Sequence, residues 1–231
     1  MEIRYHRKAL ELMGLTPEFS KERIRKIETF EKQHGCGLPA AVRELFSLSG
    51  VEEWFLGVNQ DRLLRIEELR LERHEEFLED EDLKLKGLSS ELFQEPAITF
   101  MVENQGVCWW EVILNGSDDP PVLVPLHYES NTWMIAQKHF SDFFLAVTFD
   151  HALLRKEETL WDTSDHWSGK DLPGFKRLPT TYGWPMEDPK YRYQKGSLLL
   201  SIHGGESGDI WISGWKNEKE LEEIETLLEK N

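Results

Sequence analysis

Residues 100–110 read FMVENQGVCWW, and the fold turns on whether this stretch is a site or a turn. An apolar run stops at Glu103. Asn104, Gln105 and Gly106 follow, and the chain then becomes apolar and aromatic again, ending in Trp109 and Trp110. The flanking runs, AITFMV (97–102) and VCWWEVIL (107–114), are rich in β-branched and aromatic residues, which suit strands. Asn and Gly tolerate the left-handed backbone that a tight hairpin needs. The stretch therefore reads as a hairpin turn in an antiparallel meander, with Gly106 supplying the positive φ. A catalytic role for Glu103 finds no partner nearby in the sequence.

Downstream, NGSDDPP separates the second strand from PVLVPL (121–126), and residues 132–135 read as a further short strand. SDFFLAVTFDHALL (141–154) follows as a helix with Ser141 as N-cap. Upstream, residues 20–34 read as a helix capped by Ser20, with Glu22 in its first turn and Ile24, Ile27, Phe30 and Glu31 at helical spacing. Gly35 and Gly37 stop it. Pro39 stands near the first position of a second helix, with Val42, Leu45 and Phe46 inward and Gly50 closing it. Residues 63–93 are densely charged: part reads as helix, the EDED at 79–82 as a solvated break, and the whole as an insertion on the edge of the fold. After residue 155 the chain is rich in Pro, Gly and aromatics and reads as an irregular but ordered connection. SLLLSIHG (197–204) and DIWISGW (209–215) then form a hairpin around GES, and the closing helix carries Leu221, Ile224 and Leu228 on one face. The expected fold is α+β: a mostly antiparallel sheet with helices packed on one side, spanning 1–154, then a C-terminal extension of hairpin and helix at 155–231.

Composition narrows the function classes. Asp and Glu number 43 against 27 Lys and Arg, a net charge of −16. Such a chain repels phosphate backbones, which argues against direct nucleic-acid binding, and it attracts a basic partner. The two cysteines, Cys36 and Cys108, form no CxxC pair, and none of the eight histidines has HExxH spacing. No metal and no cofactor is expected. The N-terminus lacks the apolar core of a signal peptide, and no segment approaches the roughly 20 apolar residues of a membrane span. A soluble, cytoplasmic protein with no membrane role is expected. HGGESGD (203–209) resembles a hydrolase loop at first sight, but a nucleophile elbow needs Gly two residues after the Ser, and Asp209 stands there instead.

The order of these pieces, "IETFEKQHGCGLPAAVRELFSLSGV", "FMVENQGVCWWEVIL" and "FSDFFLAVTFDHALL", resembles the SMI1/KNR4 superfamily, also called SUKH. The matching residues are Glu31, Gly35 or Gly37, Leu38, Pro39 and Gly50, then Glu103, Asn104, Gln105 and Gly106 before Trp109 or Trp110. The resemblance covers roughly the first two thirds of the chain. It implies that these residues hold the fold and that the chain has no catalytic activity. Bacterial members are mostly immunity proteins that bind and block a cognate toxin, often a nuclease or deaminase. Eukaryotic members are regulatory or scaffold proteins, for example in cell-wall synthesis. An acidic inhibitor can occupy a basic nuclease cleft by mimicking nucleic acid. The acidic run Glu75, Glu76, Glu79, Asp80, Glu81 and Asp82 is the candidate surface for such a basic toxin. A regulatory scaffold is the second reading, and a hydrolase built on Ser207 within 203–209 is the third.

Overall fold

In the computed structural model, α1 (Arg7–Met13), which the sequence reading leaves unassigned, precedes α2 (Lys21–His34). The Ser20 hydroxyl accepts the Arg23 amide at 3.3 Å, and Gly35 ends α2 in the left-handed region, as its φ of 63° requires. Pro39 is the N-cap of α3 (Ala40–Phe46), one position ahead of the one expected. Gly50 does not close α3, which ends at Ser47. It stands instead before α4 (Val51–Trp54) at φ 78°. The structure describes residues 2–56, 61–126, 131–184 and 187–229, with the backbone alone for 164–166, 206–207 and 229.

The charged segment does more than sit on an edge. It breaks into β1 (Arg62–Leu63), β2 (Arg70–Glu72), α5 (Glu75–Leu78), β3 (Lys84–Lys86) and α6 (Ser90–Gln94). The central strands are β4 (Ala97–Val102), β5 (Trp109–Ile113), β6 (Val122–Pro125) and β7 (Thr132–Gln137). Their order is β1-β4-β5-β6-β7-β3, with β2 also on β4, so the insertion supplies both edges of the sheet. All pairs are antiparallel except β3 with β7. α7 (Phe140–Leu154) begins one residue before Ser141, whose amide and hydroxyl are bonded by the Asp119 carboxylate at 2.9 and 2.6 Å. Ser141 is thus held by a cap from another loop. Phe140 and Phe143 meet Phe100 at ring distances of 5.0 and 5.7 Å, edge to face, and build the core on one side of the sheet. On the other side, Phe93, Ile113, Leu123, Leu88 and Trp133 form a second core, with Phe77 and Leu78 of the insertion packed on it.

The C-terminal region holds more sheet than the sequence suggests. β8 (Thr159–Trp167), β9 (Lys176–Arg177), β10 (Lys190–Lys195), β11 (Leu198–His203) and β12 (Gly205–Ser213) run antiparallel in the order β8-β12-β11-β10-β9. The turn between β11 and β12 is at Gly204, and GES belongs to β12. α8 (Glu218–Glu229) is capped by Asn217, whose side-chain oxygen accepts the Glu220 amide at 3.0 Å. Ile224, with Leu221, Leu227 and Leu228, covers the apolar face made by Tyr191, Tyr193, Leu198, Leu200, Ile202, Ile210 and Ile212. The chain divides into two compact units, 1–145 with 182–187 and 146–181 with 188–231. Among the described residues, no helix is long and apolar enough to cross a membrane.

Candidate functional site

The residues first singled out at 31–39 and 103–106 are held by backbone capping. The Glu31 carboxylate accepts the Leu38 amide at 3.0 Å and pairs with the Arg43 guanidinium. It thereby fixes the turn through Gly35 that delivers Pro39 to α3. Glu103 repeats the device at the β4–β5 hairpin. Its carboxylate accepts the Gln105 amide at 2.7 Å and the Val107 amide at 3.4 Å, while the Gly106 amide bonds the Glu103 carbonyl at 3.0 Å. Gly106 has φ 73°. A Cβ there would strain the left-handed backbone. Asn104 and Gln105 are exposed, Trp109 is half-buried, and Trp110 is buried against Phe143. ENQG is a turn whose acidic residue is spent on backbone amides.

The acidic run behaves differently. Glu75, Glu76, Glu79, Glu81 and Asp82 are exposed. Asp80 is partly buried: one of its oxygens accepts the Asp82 amide at 2.9 Å, and the other bonds the Asn131 side chain. It shapes the turn rather than presenting its charge. Beneath the run lies a group that sequence reasoning missed. His74, just before α5, is buried and stacks on Phe93 at 4.3 Å with an interplanar angle of 6°. Its Nδ1 donates to the Phe93 carbonyl at 3.0 Å and its Nε2 to Glu111 Oε2 at 2.7 Å. Both partners are acceptors, so with Glu111 ionised both ring nitrogens carry a proton and the ring is an imidazolium. Burial alone pushes the His74 pKa down. The Glu111 hydrogen bond and charge, with the Phe93 carbonyl and Glu72, outweigh it and raise the pKa above the usual histidine value. Glu111 Oε1 also accepts the Trp109 indole N–H at 2.7 Å. A charged clamp thus fixes the base of the acidic run to the middle of the sheet.

The second unit holds its own buried charge. Arg192 bonds both Asp150 oxygens, at 2.8 and 2.7 Å, and also Thr181 Oγ1 and the carbonyls of Pro179 and Lys190. Lys190 reaches Asp150 at 3.0 Å. Burial raises the Asp150 pKa, but the two cations and their hydrogen bonds overcome this and hold the carboxyl well below the usual carboxylate range. His151 and His203 lie in the same unit, and burial pushes each of them down to about 4. His203 Nδ1 is 3.8 Å from Asp209, beyond hydrogen-bond reach, and among the described residues its Nε2 has no hydrogen-bond partner. The side chain of Ser207 lies outside the described residues, as do those of Asp165 and His166. The strand–turn–helix setting of a nucleophile elbow is not formed, because 205–213 is one continuous strand. No group of three or more metal-ligating side chains gathers among the described residues.

Comparison of the chain with protein-family models, with curated proteins and with solved structures returns no match.

Proposed function

We propose that the chain is a binding protein of the SMI1/KNR4 type that neutralises a basic protein toxin, such as a nuclease or deaminase, by docking the acidic run of its insertion into the toxin's cationic cleft. The observation that carries this reading is the exposed set Glu75, Glu76, Glu79, Glu81 and Asp82 above the buried His74–Glu111 clamp. Exposed carboxylates alone are usually just a solvated face. Here they stand on a packed aromatic platform, so little ordering entropy is lost on binding. The net charge of −16 adds long-range steering toward a basic surface. The capping roles of Glu31 and Glu103 support the expectation that the motif residues serve the fold and leave partner choice to the insertion.

The test is association of the full chain with the toxin whose lethality it relieves on co-expression. Reversing three charges (Glu75→Lys, Glu76→Lys and Glu79→Lys) lowers the association rate at least tenfold at low salt and leaves the melting temperature unchanged. An association rate indifferent to both salt and these substitutions overturns the reading. Recovery of cell-wall or signalling enzymes as the specific partners transfers the reading to a scaffold.

A further inference from the structure

The second sheet ends in a strand that has no pairing strand on its outer side among the described residues. Among the described residues β8 pairs only with β12. It is nine residues long, where five or six is usual. One contact fixes the phase of its backbone: the Thr163 amide donates to the carboxylate of its neighbour Asp162 at 2.7 Å. In an antiparallel ladder the N–H and C=O of one residue point the same way, and successive residues alternate. The peptide groups of Trp161 and Asp165 therefore face outward with that of Thr163. Proteins commonly blunt such an edge with Lys or Pro. TLWDTSDHW contains neither.

The edge also carries an aromatic pair and a single sign of charge. Trp161 is 53% exposed and lies opposite Trp211, with ring centroids 6.5 Å apart. Half-exposed tryptophans of this kind are the preferred anchors of protein interfaces. Residues 157–167 include Glu157, Glu158, Asp162 and Asp165 and no Lys or Arg. Asp209, opposite Thr163, adds a further, half-exposed carboxylate. A second copy pairing along this edge would set carboxylate against carboxylate, which destabilises a ladder. An extended cationic segment meets the same edge with complementary charge.

We propose that the outer edge of β8 accepts an extended, lysine- or arginine-rich segment of a protein partner as an added strand, seated beside Trp161 and Trp211. Main-chain hydrogen bonds to the outward peptide groups supply affinity, and the acidic side chains select the occupant. The proposal is independent of the toxin reading and of the insertion's acidic run.

The probe is a synthetic eight-residue peptide of alternating Lys and Val, added to the full chain at low salt and followed by tryptophan fluorescence and amide exchange. The expected result is slowed exchange at Trp161, Thr163 and Asp165. Thr163→Pro removes an outward N–H that β12 does not use, so it leaves melting unchanged and weakens the peptide at least tenfold. Trp161→Ala weakens it about tenfold. An alternating Glu and Val peptide does not bind. The charge reversal at Glu75, Glu76 and Glu79 leaves peptide affinity unchanged, which separates this edge from the acidic run. The proposal is overturned if the Lys–Val peptide fails to bind, if protection falls away from β8, or if both variants bind it as tightly as the native chain.

Discussion

His74 and His151 are both shut away from solvent, at 2% and 0% exposure, yet their rings lie on opposite sides of the ordinary histidine pKa. Burial disfavours the imidazolium at both places. At His74 a carboxylate, also 2% exposed, is in hydrogen-bond contact and reverses the balance. In the second unit Asp150 also favours the charged rings, but it is engaged by Arg192 and Lys190, makes no direct bond to either ring, and is outweighed by burial. His151 and His203 stay neutral, with pKa values of about 4. The contrast shows that a buried histidine reports whether its neighbouring acid is still available. It also separates two uses of buried charge: one clamp fastens the charged insertion to a sheet, and one closed ion pair fastens a helix to a strand.

The largest expected effect breaks the second half of the contrast. Arg192→Met removes five hydrogen bonds from a buried site and leaves Asp150 with Lys190 alone. Breaking one side of a buried pair costs about 3–5 kcal/mol, read as loss of stability in denaturant titration. Glu111→Gln comes next. It keeps the shape but removes the counter-charge of His74, at a cost of about 2–3 kcal/mol below pH 6, as for a hydrogen bond to a charged group. Above the raised pKa of His74 the difference from the native chain shrinks. Glu31→Ala is the smallest, at about 1–2 kcal/mol, because it uncaps the Leu38 amide and leaves the half-exposed Arg43 with its longer 3.6 Å contact to Glu28.

The two settings also respond to pH with opposite sign. His74 has a raised folded pKa, so its stabilisation is complete below about 6.5 and is lost as pH rises through the folded value. For His151 and His203 the unfolded chain binds the extra proton between about 4 and 6.5, so the second unit loses stability as pH falls through that window. Each contributes on the order of a few kcal/mol by pH 4. Asp150, held below the usual carboxylate range, loses its contribution at still lower pH. Amide-exchange protection factors are expected to fall first at 74–86 on the alkaline side and first at 190–203 on the acid side.

Much of the fold was legible because local chemistry spelled it out. Ser20, Gly35 and Gly106 mark a cap, a stop and a turn by properties of single residues, and AITFMV is bounded as a strand by its own composition. Of the second sheet only the β11–β12 hairpin was read; β10 was missed because four of the six residues of KYRYQK are Lys, Arg or Gln. Its signal lay in alternation: Tyr191 and Tyr193 face the core, while Lys190, Arg192 and Gln194 point the other way. The clamp was harder still, since His74 and Glu111 are 37 residues apart and join only when the sheet forms. Two hints were present. Glu111 is the lone carboxylate in an apolar strand and needed a partner, and Phe77 with Leu78 interrupts an otherwise charged run. The exposed members of that run carry no sequence mark that separates a binding face from a solvated one.

The central claim is that the acidic face stands on a clamp held by a charged imidazole. The direct measurement is an NMR titration of the histidine ring signals of the full chain. The account predicts that the His74 ring stays doubly protonated above pH 6.5, while His151 and His203 remain neutral down to about pH 4. A His74 ring that loses its proton at or below pH 6.5 would contradict it.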